Sequence, residues 1–257
     1  MTEIRHPRPL ISGTLVRRYK RFLSDVRLSG GRVVTAHCVN PGAMEGLVRP
    51  GATVWLSEVD ADSKRKLRYT WELIEVDGGL VGANTLVSNR IVRALLETKP
   101  RGFAHDELRA EYPYGEGSRV DFWLRRGQKE HFVEVKNCHL VYPDGRGYFP
   151  DSRSERAARH LAELSQVVRA GHRATVLFTV QRPDVRAVRP SDVHDPAFAA
   201  AARAALAAGV HFRAVRIRPT LSGYTVEGAI PVDLRPYPTR RIEGWRRDNA
   251  STSGSQG

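Results

Sequence analysis

The sequence predicts an all-β N-terminal domain followed by an α/β domain with a mixed sheet. Up to about residue 84, short β-segments alternate with turn signals, and beyond it helical and strand patterns alternate. The segment "RATVLFTVQ" in the second part is almost continuously apolar, which is typical of a strand buried on both faces. The 257 residues are enough for two domains, predicted at 1–84 and 85–235.

Four β-segments make up the predicted N-terminal domain. Turn dipeptides separate them, such as Gly30-Gly31, Pro41-Gly42 and Pro50-Gly51. Strands this short and this evenly spaced favour a small barrel or sandwich. The segments are "GTLVRRYKRFLSDVRL", "RVVTAHCVN", "ATVWLSEV" and "KLRYTWELIEV".

The predicted second domain begins with a helix, "SNRIVRALLET", for which Ser88 or Asn89 is the expected N-cap. Strands follow around 107–113, 118–125 and 131–138. The next helix, at about 154–170, has Ser154 as its expected N-cap and stops at Gly171.

The rest of this domain is predicted to contain a strand, a helix and a final strand. The helix "DPAFAAAARAALAAG" has Asp195 as N-cap, Pro196 in its first turn and Gly209 as its stop. The last strand is "VHFRAVRIR", so the order is α-β-β-β-α-β-α-β. Residues 236–257 are polar, rich in Gly and Ser and basic near their start, and we expect a disordered tail.

The charge balance points to a polyanionic partner. Lys and Arg number 41 against 28 acids, which gives a net charge of +13. Such a balance favours binding to nucleic acid, DNA in the first instance, although an Arg-rich proteome would also raise the baseline. No apolar run is long enough to span a membrane, and only Cys38 and Cys138 are present, so we expect a cytoplasmic protein without a disulfide framework.

The stretch "SRVDFWLRRGQKEHFVEVKN" reads as a β-hairpin with acids on both strands. A two-residue loop at Gly127-Gln128 suits a type II′ turn. Counting back along both strands then places Asp121 opposite Glu134 on one face, with Lys136 on that face two residues further.

Two opposed carboxylates repel each other, and a divalent cation such as Mg²⁺ between them would remove that repulsion. Lys136 would then orient a water molecule or stabilise charge on a phosphate. The alternative is a solvated strand face on which Lys136 screens Asp121 and Glu134.

A basic and aromatic stretch lies on the predicted barrel. Arg17, Arg18, Tyr19, Lys20 and Arg21 precede Phe22 and form a candidate nucleic-acid-binding surface, where cations contact phosphates and aromatic rings stack on bases. Alternation along a strand would direct part of this set away from any single ligand, and a solvated barrel strand is the alternative interpretation.

The element order with Asp121 and Glu134-x-Lys136 resembles the core of the PD-(D/E)xK, restriction-endonuclease-like superfamily. The resemblance implies that Asp121 and Glu134 bind Mg²⁺ or Mn²⁺ and that these acids and Lys136 form the catalytic set. Members often add an acid from the first helix, for which Glu97 is the best candidate. Glu111, on the strand before the hairpin, is the second candidate.

A closer resemblance covers about residues 14–217. The chain resembles the sugar fermentation stimulation protein A family in a collinear series of motifs, among them "HCVNPGAMEGLVRPGATVWLS", "YPYGEGSRVDF", "FVEVKN" and "HDPAFAAAARAALAAGV". This implies an N-terminal OB-fold, a nuclease-like C-terminal domain, DNA binding and an association with regulation of sugar (maltose) metabolism in bacteria. The expected function is therefore a DNA-binding protein with a nuclease-like metal site; the alternative is a non-catalytic DNA-binding regulator that retains the nuclease fold.

Overall fold

The computed structural model of the protein describes residues 2–60, 62–115 and 117–253. Its N-terminal domain is an OB barrel, as the sequence predicts. The strands pair in the order β4-β3-β2-β5-β6-β7, and a parallel contact between β4 and β6 closes the barrel. Their bounds are β2 Ile11–Tyr19, β3 Leu23–Leu28, β4 Val33–His37, β5 Thr53–Glu58, β6 Tyr69–Val76 and β7 Gly79–Gly82.

Alternating apolar residues on these strands form the barrel core. Leu15, Val26, Leu56 and Trp71 are almost fully buried within it. The Trp71 indole N–H is satisfied by donating to the Leu73 carbonyl at 3.0 Å, so a large aromatic side chain is buried there without an unpaired polar group.

The second domain contains a seven-stranded mixed sheet in the order β1-β16-β15-β13-β10-β9-β8. Strands β10, β13 and β15 are parallel, and the other pairs are antiparallel. The bounds are β1 Glu3–Arg5, β8 Glu107–Tyr114, β9 Ser118–Arg126, β10 Lys129–Asn137, β13 Arg173–Val180, β15 His211–Pro219 and β16 Gly223–Ile230. The N-terminal strand β1 thus pairs with β16 in this sheet rather than joining the barrel.

Helices cover both faces of the sheet. Helix α1 (Val87–Glu97) packs on one face, where Val133 and Leu177 contact its apolar side. Helices α2 (Glu155–Arg169) and α3 (Pro196–Ala207) pack on the other face against Phe132 and Val176. Strand β13 is covered on both faces, which agrees with its nearly continuous apolar run.

Short elements and a C-terminal helix complete the domain. Strands β11 (Leu140–Val141), β12 (Arg146–Phe149) and β14 (Ala187–Pro190) form a small sheet, and α4 spans Arg240–Ser253. Disorder was expected throughout 236–257, and a helix over Arg240–Ser253 contradicts this; residues 254–257 lie outside the described residues. The physical reason is that Ile242 is buried beside Tyr142 and Tyr148, with Trp245 packed against the same cluster.

The barrel is joined to the second domain by a buried polar contact. Asp151, which follows β12, accepts a hydrogen bond from the Met44 backbone N–H at 2.8 Å and contacts His139 Nε2 at 3.0 Å. Asn40 Nδ2 lies 3.5 Å from His139 Nδ1. Within the described residues, no helix is long and apolar enough to cross a membrane.

Candidate metal and phosphate site

The β9–β10 hairpin has the register that its turn residues predict. Arg126 pairs with Lys129, and the ladder runs to Phe122 opposite Val133. Gly127 has a positive φ of 56°, as a type II′ turn requires at this position. The next two residues along the strands are Asp121 and Glu134, and at that point the ladder gives way to a different contact: the Val135 N–H donates to Asp121 Oδ2 at 2.7 Å.

Glu134 is the most buried of the predicted site residues. Its side chain is 4% exposed, and one oxygen, Oε1, lies 2.6 Å from Lys136 Nζ and 2.7 Å from His160 Nδ1 on α2. Burial raises the pKa of this carboxyl, but the contacts with His160 and Lys136 outweigh it and lower the pKa below its usual value. The other oxygen, Oε2, is buried and has no hydrogen-bond partner among the described residues.

Asp121 is held in place by two donors. Asn89 of α1 donates to Oδ1 at 2.8 Å, and the Val135 N–H donates to Oδ2. Burial and, after it, the charge of Glu134 raise the pKa of Asp121 to about 6. The two carboxyls therefore share one electrostatic environment, which disfavours two negative charges in the apo protein.

Helix α2 and the end of β8 add polar groups around the carboxylates. His160 of α2 faces the hairpin, as its contact with Glu134 shows. Glu163, one helical turn further, accepts from Ser118 Oγ at 2.9 Å through Oε1, while its buried Oε2 is unpaired among the described residues. The Tyr114 hydroxyl is also buried without a partner there, and burial together with Glu134 and Glu163 raises its pKa. Sequence reasoning missed Glu163, Tyr114 and Asn89, although Glu163 lies one turn beyond His160 on the same helix face.

Glu97 was expected to add a third metal ligand, and the structure contradicts this. It lies at the far end of α1 from Asn89, about 12 Å along the helix axis. Its side chain is 56% exposed and forms an ion pair with Arg93 at 3.1 Å. The helix approaches the carboxylates with its N-terminal end, so a residue at its C-terminal end cannot reach them.

In the basic stretch on the barrel, Arg18 binds the barrel itself, whereas the other residues are accessible. Arg18 is occupied by the barrel itself, because its guanidinium donates to the carbonyls of Asn40, Gly42 and Ala43. Strand β2 ends at Tyr19, and Lys20 and Arg21 form the exposed turn into β3 with positive φ angles of 49° and 61°.

The other members of this stretch remain accessible. Arg17 pairs with Asp25, lies over the Tyr19 ring at 4.8 Å and is still 67% exposed. Phe22 is 46% exposed at the same turn. Arg17, Tyr19, Lys20, Arg21 and Phe22 therefore form one outward-facing surface, which we call the hairpin tip.

The donor set fits a hard divalent cation. Asp121 and the unpaired Glu134 Oε2 offer carboxylate oxygens, which Mg²⁺ and Mn²⁺ prefer. Within the described residues, however, no group of three or more His, Cys, Asp or Glu side chains is arranged to hold a metal ion. The protein itself thus supplies two carboxylates, and further ligands would have to come from water, backbone or substrate.

The fold and the site define a two-domain class: an OB barrel followed by a mixed-sheet α/β domain that carries an acid–acid–lysine cluster. Family models described as "SfsA N-terminal OB domain" and "Sugar fermentation stimulation protein RE domain" match residues 16–83 and 84–223. The chain belongs to the sugar fermentation stimulation protein family.

Relatives in this family cover nearly the whole chain. The sugar fermentation stimulation protein homolog of Geobacter sulfurreducens is 47% identical over 228 residues, covering 88% of this chain and 97% of the relative. The homolog of Thioalkalivibrio sulfidiphilus is 45% identical, with 88% and 96% covered. Among solved structures, Pyrococcus furiosus SfsA in complex with Ca²⁺ superimposes with a TM-score of 0.82 at 26% identity, covering 91% of this chain and 99% of that one.

Proposed function

We propose that the protein binds nucleic acid, DNA in the first instance, and hydrolyses phosphodiesters with Mg²⁺ or Mn²⁺ held by Asp121 and Glu134. The observation that carries this proposal is Glu134 Oε2, a buried carboxylate oxygen with no partner among the described residues. Such an atom is costly to bury, and a cation at this position would satisfy it. The Pyrococcus relative forms a complex with Ca²⁺, which is a hard cation of the same kind.

Each residue of the cluster has a distinct task in this proposal. Asp121 and Glu134 hold the cation, which when bound supplies Lewis-acid stabilisation of charge on a phosphoryl oxygen. Lys136, with its side chain 15% exposed, places an ammonium group beside the carboxylates, where it orients the attacking water or contacts a phosphate oxygen. His160 fixes the rotamer of Glu134 through Oε1 and leaves Oε2 directed elsewhere.

Nucleic-acid affinity is supported by the charge of +13 and by the hairpin tip. Lys20 and Arg21 are exposed at the turn, where they can neutralise phosphates, and Tyr19 and Phe22 provide rings for base stacking. Arg17 lies over the Tyr19 ring and pairs with Asp25, yet its side chain remains 67% exposed.

A second candidate function is a non-catalytic DNA-binding regulator of sugar (maltose) metabolism. Two observations favour it: Lys136 already forms an ion pair with Glu134, and no third acidic or imidazole ligand joins the two carboxylates among the described residues. The two functions differ in whether Glu134 is needed for chemistry or only for the fold.

A cleavage assay separates them. Single- and double-stranded DNA and RNA are incubated with wild type, Glu134→Gln and Glu130→Gln, in Mg²⁺, Mn²⁺ or EDTA. Glu130 lies on the same strand and its substitution changes the charge equally, but it is paired with His172 away from the site. We expect cleavage by wild type and Glu130→Gln with metal, and none by Glu134→Gln. Salt-sensitive binding without cleavage in any metal would favour the regulator.

A further inference from the structure

A surface pocket of about 380 Å³ opens between α2 and the turn that leads into β9. Three arginines line it, Arg119 from β9 and Arg156 and Arg159 from α2, and among the described residues Glu111 is the one carboxylate that lines it with them. Nothing in the acid–acid–lysine cluster requires this concentration of positive charge. Three guanidinium groups around one concave surface repel each other and therefore favour an anionic ligand.

The pocket borders the carboxylate cluster through one side chain. The His160 ring lines the pocket, and its Nδ1 lies 2.7 Å from Glu134 Oε1. On the other side of the ring, Arg156 Nε lies 3.4 Å from His160 Nε2. A group bound by the arginines is therefore separated from Glu134 by the width of an imidazole.

The helical spacing explains why these groups converge. Arg156, His160 and Glu163 lie four and three residues apart, so they form one stripe on the face of α2 that is directed at β9. Ser118 links this stripe to the strand by donating to Glu163. Arg119 is the next residue of β9, exposed at the rim of the pocket, two residues before Asp121.

Backbone strain is concentrated at the same place. Glu111 has a φ of 51°, a left-handed conformation that is unfavourable for a residue other than glycine. It is passed over in the β8–β9 ladder, which pairs Ala110 with Phe122 and then Tyr112 with Val120. The pairing register is the same on both sides of this gap, and Glu111 lines the pocket.

We propose that this arginine pocket is a phosphate subsite: it binds a phosphate group of a nucleic-acid strand, so that a neighbouring phosphodiester of the same strand lies at Asp121, Glu134 and Lys136. Guanidinium groups bind phosphate with paired, charge-assisted hydrogen bonds, and Arg119 and Arg159 line the pocket from two different elements, β9 and α2. The inference rests on the proposed function, since it takes nucleic acid as the ligand. The phosphate is either internal to the strand or at its end, and the test separates these sources.

The test compares two double variants with the same change in charge. Arg119→Ala with Arg159→Ala removes the pocket arginines from β9 and α2. Arg126→Ala with Arg169→Ala removes exposed arginines from the opposite ends of the same two elements. All four side chains are exposed, so we expect both variants to fold, which is checked by thermal melting.

Binding is measured by fluorescence anisotropy in EDTA with short oligonucleotides that carry a 5′-phosphate, a 3′-phosphate or no terminal phosphate. We expect the pocket variant to lose about tenfold or more in affinity and its log–log salt slope to fall by about 2, whereas the control loses much less. We also expect Glu111→Gln to bind more tightly than wild type, because it removes a negative charge that repels phosphate from the pocket.

The oligonucleotides identify the source of the phosphate. A loss confined to one phosphorylated end assigns the pocket to that terminal phosphate, and an equal loss with all three assigns it to an internal one. Equal losses in the pocket and control variants, or no binding by wild type at low salt, overturn the proposal.

The outcome is independent of catalysis because EDTA excludes metal. Selective weakening of the pocket variant, together with no cleavage in Mg²⁺ or Mn²⁺, keeps the phosphate subsite and rejects the nuclease function. Metal-dependent cleavage that the pocket and control variants retain equally, with equal binding, keeps the nuclease function and rejects the subsite.

Discussion

Replacement of Asp121 by Asn should stabilise the apo protein and remove its response to metal. Burial and the charge of Glu134 raise the pKa of Asp121 from 3.8 to about 6. A carboxyl whose pKa is higher in the folded state than in the unfolded state lowers the free energy of unfolding at pH values above its folded-state pKa. The reason is that the folded protein must then bury the group in its ionised form. Two pKa units correspond to about 3 kcal/mol, and partial exposure reduces the expected gain at pH 8 to about 1–3 kcal/mol.

The hydrogen bonds of Asp121 can survive this substitution. An Asn side chain at this position can accept from the Val135 N–H through its oxygen, as Oδ2 does now. Its amide N–H₂ can donate to Asn89 if that side chain rotates to present its own oxygen. The gain in free energy of unfolding is therefore not offset by an unpaired donor.

Bound metal should stabilise the wild type, whereas the ionised Asp121 destabilises the apo protein. A ligand that binds only the folded state at a hundredfold excess over its Kd adds about 2.7 kcal/mol, or about 5–10 °C in Tm for a chain of this size. We expect Mn²⁺ to raise the Tm of wild type by this order and to leave Asp121→Asn nearly unchanged.

Thermal melting with and without Mn²⁺ tests both effects, with Asp106→Asn as the matched control. Asp106 also accepts a backbone N–H, from Gly127 at 3.2 Å, but it is exposed at the other end of the hairpin. Its substitution should leave the metal response intact. A wild-type Tm that is indifferent to millimolar Mn²⁺, or an apo Asp121→Asn protein that melts earlier than wild type, would refute the reasoning.

Three further predictions follow from the same structure. Lys136→Ala should abolish cleavage yet keep the Mn²⁺ response in thermal melts, since its proposed task is in the chemistry; cleavage at the wild-type rate would contradict this. Asp151→Asn should lower the free energy of unfolding by about 2 kcal/mol at pH 7, because burial opposes ionisation but the contacts with His139 and the Met44 N–H outweigh it and lower the Asp151 pKa from 3.8 to about 2. That contribution is complete above pH 3.8 and is lost as the pH falls toward about 2, so urea titrations of both proteins should converge there, and parallel curves at all pH values would reject it. Lys20→Ser with Arg21→Ser should lower nucleic-acid affinity and reduce the salt slope by about 1–2 without changing Tm, and an unchanged slope would remove the hairpin tip from the binding surface.

Local signals were sufficient to predict most elements of the second domain. Ser154 and Asp195 cap α2 and α3 by accepting from the N–H groups of Ala157 and Phe198. Helix α1 deviates because Asn84, upstream of the expected caps, accepts from the Leu86 N–H and starts the helix at Val87. The short strands β11, β12 and β14 depend on pairing between distant segments and carry no comparable local pattern.

The candidate site was predictable where it depends on one hairpin and not where it depends on how a helix crosses the sheet. Gly127 determines the turn, and the turn brings Asp121 and Glu134 to adjacent strand positions. Which end of α1 meets them is a property of the packing of Val92 and Leu96 on the sheet, so the sequence could not distinguish Asn89 from Glu97 as its contribution.

The C-terminal segment shows the same limit. Its Gly, Ser and Arg content is typical of a disordered tail, and only Ile242 and Trp245, three residues apart, indicate an apolar helix face. That face packs against Leu140 of β11 and Tyr142 just beyond it, about a hundred residues earlier in the chain. The segment therefore forms a helix because its few apolar side chains pack against a surface that is distant in the sequence.

The contact between the domains holds the proposed binding surface in a defined position relative to the proposed site. His139 follows β10, the strand that carries Glu134 and Lys136, and it contacts Asp151, which in turn holds the barrel loop through the Met44 N–H. Arg18 tethers the same loop to the strand that ends at the hairpin tip, by donating to three of its carbonyls. The contacts of Asp151 are buried and cross between the domains, so they resist rotation of one domain against the other. A nucleic-acid strand bound at the hairpin tip would then be presented to the carboxylates in a defined direction, and Arg18, whose donors are used by the loop, would contribute to binding through this geometry rather than through its charge.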